Sequence, residues 1–140
     1  MAEAITAARL RKSGLGKLAV SSAGTAAFEG MQAASNAVKV LGEIGIDLSG
    51  HRARLLTREM VDEADLIVVM TEAHRSEVLD LAPGSAGKVI VLGELDSSKA
   101  SRDIADPMGG GEDAYRRTRD EIQELIPRLI EYLIEVFSIK

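Results

Sequence analysis

No cysteine occurs anywhere in the chain, which removes disulfides, thiolate metal sites and any cysteine nucleophile supplied by these residues. Tryptophan is also absent, and the few aromatics, Phe28, Tyr115, Tyr132 and Phe137, cannot build an extended base-stacking platform. His51 and His74 lie far apart and, without thiolates, make no convincing metal site; no metal and no cofactor are expected. Apolar runs such as Leu66-Ile67-Val68-Val69-Met70 are far too short to span a bilayer, and the first residues lack a signal peptide's basic start and apolar core. A cytoplasmic location with no membrane partner is expected. Basic residues are outnumbered 17 to 22, and the deficit is local: the signs balance in residues 1–70, whereas acidic residues dominate 71–140. A general nucleic-acid surface is disfavoured, although a small basic pocket is not. There is no complete nucleotide-binding P-loop, dinucleotide fingerprint or G-x-S-x-G elbow, and no internal repeat.

What remains is 140 residues with the apolar and charged balance of a soluble globular protein, enough for one domain covering 1–140. Met1 to Lys12 consists of strong helix formers with an apolar stripe at Ala4, Ile5, Ala8 and Leu10, stopped by Gly14 and Gly16. Lys17 to Ser22 reads as a short strand, and Gln32 to Ile44 returns to helical spacing before Gly45. Thr57 can cap a short helix reaching Ala64. Leu66–Met70 and Val89–Leu92 read as strands buried on both faces, with a crossover helix over Glu72–Leu81 between them. Gly93 to Gly111 lacks periodicity and is expected to be a long loop. A last helix runs from about Glu112 to Phe137, where Pro127 should kink or break it. Alternating strands and helices imply an α/β fold, a doubly wound parallel sheet with helices on both faces.

Three segments carry candidate chemistry. Ser22-Ala23-Gly24-Thr25 places small residues at a strand end, where such folds bind ligands; the alternative, which the segment alone favours, is an ordinary strand-to-loop turn. In Asp103-Ile104-Ala105-Asp106-Pro107-Met108-Gly109-Gly110-Gly111, proline holds Asp106 on an extended backbone, a sensible mount for a general acid that protonates a departing oxygen. The alternative is a turn initiator at Asp106 and a solvated charge at Asp103. Gly50-His51-Arg52-Ala53-Arg54 can offer a phosphate-attracting pair of guanidiniums, with His51 in a structural role and His74 exposed.

Taken in order, Met1-Ala2-Glu3-Ala4, Ser22-Ala23-Gly24-Thr25, Gly45 to Arg54, Ala64 to Thr71 and Asp103-Ile104-Ala105-Asp106-Pro107 resemble the low-molecular-weight protein tyrosine phosphatase family, including its bacterial arginine-phosphatase branch. The resemblance covers the whole chain. It implies that a central first strand and a C-x5-R-S loop precede the first helix. In the family the loop's cysteine attacks phosphorus while its N–H groups and arginine hold the oxygens. Those elements are not among these residues, so the chain is expected to be an N-terminally incomplete domain. The resemblance makes Asp106 the general acid and places Ser22, Met108 and Tyr115 at the substrate. Met108 stands where the family often has an aromatic ring, and Gly109-Gly110 looks like the arginine-phosphatase branch. The implied partner is a phosphorylated protein or a small phosphate ester.

Two readings follow from the missing nucleophile. In one, the authentic chain is longer and is a phosphatase acting through a cysteinyl phosphate; in the other, this chain is a non-catalytic remnant that binds a partner or phosphorylated ligand. Either way the residues given are expected to be inactive alone. The gap left by the missing strand is expected to close by self-association or by direct pairing around Val20 and Val68.

Overall fold

The computed structural model describes residues 1–98 and 102–138, which divide into two compact units. The first comprises Met1–Ser22, Gln32–Arg52 and Asp106–Lys140; the second comprises Ala23–Met31 and Ala53–Ala105.

In the first unit, helices α1 (Ala2–Lys12) and α2 (Ser35–Gly42) pack on the long α5 (Glu112–Val136). Helices α1 and α2 end in the same glycine device. Gly14 and Gly45 adopt φ of +75° and +79°, letting the next N–H reach back, Leu15 to the Leu10 carbonyl at 2.8 Å and Ile46 to Leu41 at 3.0 Å. The left-handed turn satisfies carbonyls the helix would otherwise leave open. α2 starts at Ser35 rather than Gln32, because Gln32 forms an antiparallel bridge with Arg52. The inward stripe of α5 runs Tyr115, Thr118, Arg119, Ile122, Leu125, Ile126, Leu129, Ile130, the spacing of an apolar helix face. α5 passes through Pro127 without a break. The carbonyl that Pro127 cannot engage is that of Gln123, an exposed residue, so water can take the bond that the helix loses.

Lys17–Ser22 forms no strand. Its residues alternate between exposed and half-buried from Lys17 to Ser22, the pattern of an extended segment, but no strand ladder is formed on it among the described residues. Alternation specifies a pleat; a strand also needs a hydrogen-bonded neighbour.

The second unit holds the sheet. β1 (Ile67–Val69) and β2 (Val89–Val91) run parallel in the register Ile67↔Val89, Val68↔Ile90, Val69↔Val91. Between them lies α4 (Glu72–Leu81). Thr71 Oγ1 accepts from the His74 N–H at 3.1 Å, and Thr57 Oγ1 caps α3 (Arg58–Glu63) in the same way through Met60 at 3.2 Å. The core is Val61, Val69, Val78, Ala82, Val89 and Val91. The expected pairing around Val20 and Val68 would join residues of different units; within the second unit Val68 pairs with Ile90 in the described sheet. Of the expected loop Gly93–Gly111, residues 99–101 lie outside the described residues, and its start is a 3-10 turn over Leu92–Leu95. No described helix is long and apolar enough to cross a membrane.

Candidate active site

The turn that carries Asp106 is built from its own sequence. Asp106 Oδ1 accepts from the Met108 N–H at 2.9 Å, and the Pro107 carbonyl accepts from the Gly110 N–H at 2.8 Å. Gly109 takes φ +83°, a value that side-chain-bearing residues rarely adopt. At Gly110 the constraint is space, since a Cβ would lie 2.8 Å from Ala114 Cβ and 3.0 Å from the Pro107 carbonyl oxygen. Gly111 then starts α5, accepting from Ala114 and Tyr115. Asp106 is thus held through one carboxyl oxygen, on an exposed turn joined directly to a helix; Oδ2 makes no hydrogen bond among the described residues. A carboxyl fixed at one oxygen and open at the other can pass a proton without losing its position.

Met108, on the same turn, is 80% exposed, whereas Tyr115 is 8% exposed on the first turns of α5. The start of that helix is anchored by charge. Arg116 clamps Glu43 with two bonds of 3.0 and 2.7 Å and also reaches Glu112. Arg119, itself buried, donates to the Val40 carbonyl at 2.9 Å and to Glu43 at 2.6 Å. Glu43 is held at about 2 by the Arg116 hydrogen bonds, against an opposing desolvation, with Arg119 adding to the effect. Bonds from Lys39 and then Arg116 keep Glu112 below the usual carboxylate range.

Ser22 belongs to a different cluster. Its Oγ donates to Glu3 Oε1 at 2.8 Å, and the other oxygen of Glu3 faces His51 Nδ1 at 4.0 Å. This cluster sits at the beginning of α1, whose N-cap Met1 makes no side-chain cap hydrogen bond. The Met1 amino group there is lowered by burial, with Glu3 acting in the opposite sense. Asp106, Met108 and Tyr115 are therefore gathered by one turn and one helix, and Ser22 is gathered with Glu3 and His51. Sequence reasoning overlooked Glu3; an acidic residue in a helix's first turn is the signal that could have drawn attention to it.

The remaining candidates have structural bonds. Arg52 folds onto its own loop, donating to the carbonyls of His51 at 2.8 Å and Ser49 at 3.2 Å. In the second unit, the Gly24 N–H donates to the Arg54 carbonyl at 2.9 Å, and the Leu56 N–H returns to the Gly24 carbonyl at 2.9 Å. Gly24 is thus stitched to residues 54–56 through backbone. Asp103, an exposed loop charge, also accepts through Oδ1 from the Glu72 N–H at 2.9 Å at the start of α4. His74 is half-buried rather than exposed. No group of three metal-ligating side chains occurs among the described residues.

The sequence model of the low molecular weight phosphotyrosine protein phosphatases matches residues 1–136. The chain belongs to this family. It is 38% identical over 129 residues to a protein-arginine-phosphatase of Geobacillus stearothermophilus, spanning 92% of this chain and 86% of that one. It is also 38% identical over 126 residues to a probable low molecular weight protein-tyrosine-phosphatase, EpsP, of Ralstonia nicotianae, spanning 87% and 83%. Among solved structures, a low molecular weight protein tyrosine phosphatase from T. tengcongensis superimposes with a TM-score of 0.85 at 37% identity, covering 94% of this chain and 88% of that one. The α/β architecture with its parallel strands is the fold of this phosphatase family.

Proposed function

We propose that these residues supply the leaving-group side of a phosphoprotein phosphatase, with Asp106 as the general acid. The observation that carries this reading is the Asp106 carboxyl, tied by one oxygen to the Met108 N–H and open at the other, in a phosphatase family member matched over residues 1–136. In the family reaction a thiolate sulfur bonds to phosphorus as the P–O or P–N bond to the substrate breaks, and Asp106 delivers its proton to the departing oxygen or nitrogen. Asp106, now a carboxylate, then takes a proton from the water that attacks phosphorus as the S–P bond breaks. The composition contains no thiol, so these 140 residues alone do not complete the cycle.

Of the two substrate classes, phosphoarginine is the better supported. Met108 offers a flexible, exposed thioether rather than a flat wall for a phenyl ring, and the Geobacillus relative bears the arginine-phosphatase name. Ser22, held by Glu3, and Tyr115 complete the proposed substrate side.

The test uses this chain fused behind the family's strand and C-x5-R loop, with Asp106 and Asp106→Asn versions compared on aryl phosphates of graded leaving-group acidity. Loss of the acid should slow poor leaving groups most and leave good ones nearly unaffected. Equal slowing across the series would remove Asp106 from that role. A second reading, a binding domain without turnover, draws on the missing thiol alone, and Asp106-dependent hydrolysis by the fusion would leave it no support for the chain's fold.

A further inference from the structure

The proposed chemistry leaves two features of the first unit unused, and both lie along α5. One is a pocket of about 360 Å³ at the C-terminal end of α1, floored by Ile5, Ile44, Ile46 and Ile126. Its mouth carries Arg9, Arg11 and Lys12, all exposed, none in an ion pair among the described residues. Basic residues in a last helical turn complement the helix dipole, but that does not account for an isoleucine floor beneath them. The other feature is the end of α5. There Ile134, Val136 and the following Phe137 are 41%, 51% and 41% exposed, interleaved with exposed Glu131 and Glu135.

The two features are complementary, apolar floor to apolar knob and cations to carboxylates, and they share a side of the helix. Gln123 and Ile126 line the pocket; Ile134 and Phe137 follow each by eleven positions, about three turns and roughly 16 Å along the axis. One helix cannot bring them together, whereas two antiparallel copies can. Each α5 end would then sit over the other copy's pocket, the reciprocal arrangement of an isologous dimer. With a net charge of −5, copies repel in general, so association requires such a local match of opposite charge.

We propose that this face is a self-association surface, in which Phe137 and the acidic end of α5 from one copy seat in the basic, isoleucine-floored pocket of a second. It is independent of the phosphatase assignment.

Sedimentation equilibrium on the full chain tests it with two charge-reversed variants. Arg9→Glu/Arg11→Glu/Lys12→Glu makes pocket and knob both acidic; Glu131→Lys/Glu135→Lys makes both basic. The native chain should dimerise with rising concentration and less so in high salt. Each variant alone should be monomeric, and an equimolar mixture should regain the dimer, because each variant's pocket then meets a knob of opposite sign. Phe137→Ser, which leaves every charge in place, should weaken the native dimer at least tenfold. A native chain that stays monomeric, variants that dimerise as well as the native chain, or a mixture of folded variants without heterodimer would each overturn the proposal. Dimers surviving all three changes would place the contact elsewhere, the edge of β1 included.

Discussion

Gly93→Ala should be among the most damaging single-methyl additions available in this chain. A Cβ at position 93 would overlap the Arg102 carbonyl oxygen and stand 2.7 Å from its carbon and 3.0 Å from its Cα. The obstacle is backbone, so no rotamer relieves it; about 1 Å of main-chain movement is needed to restore ordinary contact. That backbone is not free to move. Two residues on, the Ile104 N–H donates to the Met70 carbonyl at 2.9 Å, and Asp103 Oδ1 accepts from Glu72 N–H at 2.9 Å. The Ile104 side chain is 3% exposed. Losing both hydrogen bonds costs about 1 kcal/mol each, and partly withdrawing Ile104 about 1–2 kcal/mol more, for a total of about 3–4 kcal/mol. Urea unfolding of Gly93→Ala beside Gly84→Ala gives the measurement, since nothing lies within 4 Å of a Cβ at Gly84. The control should stay within about 0.5 kcal/mol of the parent. A Gly93→Ala protein as stable as the control would show that the 93–102 contact yields cheaply and would refute the reasoning.

Other outcomes follow from the same contacts. Glu43 has a folded-state pKa of about 2 against an ordinary 4.5, so its contribution is full above about pH 4.5 and is lost as pH falls toward 2. Thermal unfolding of Glu43→Gln should therefore show a deficit at neutral pH that closes over that window, and a deficit independent of pH would refute the assignment. Gly110→Ala should drive the Asp106 turn away from α5, because the new methyl meets both Ala114 and the Pro107 carbonyl; in the loop-fused enzyme turnover should drop while far-ultraviolet circular dichroism is unchanged. Pro127→Ala should raise stability by about 1 kcal/mol or more, by giving the Gln123 carbonyl its helical partner, and an unchanged denaturation midpoint would speak against that deficit. Asp106→Asn in the fused enzyme should cost about 10²–10⁴ in turnover on poor leaving groups, which steady-state kinetics would read directly.

Much of the local structure was legible before any coordinates. The bounds of α4, the cap at Thr57, and the stops at Gly14 and Gly45 depend on side-chain chemistry acting within a few residues. What was misread depends on partners distant in sequence. Lys17–Ser22 has a strand's alternation, but alternation cannot say whether a neighbour will pair with it. Asp103 is the exposed loop acid its surroundings suggest, but its bond to the Glu72 N–H is not readable until α4 is placed beside it. Pro127 suggests a broken helix, yet burial of Leu125, Ile126, Leu129 and Ile130 on either side of it outweighs one missing hydrogen bond. The Asp106 turn was readable as an Asp-Pro mount with glycines behind it; that Met108 N–H fixes one oxygen and spares the other was not.

Asp106 is proposed as one half of a catalytic pair whose thiolate half these residues do not contain. Phosphate release from a phosphoarginine peptide and from an aryl phosphate tests it, measured for the 140 residues alone and for the same residues behind a C-x5-R loop. No release above buffer is expected in the first case, and Asp106-dependent release in the second. Turnover by the 140 residues alone that disappears in Asp106→Asn would contradict it.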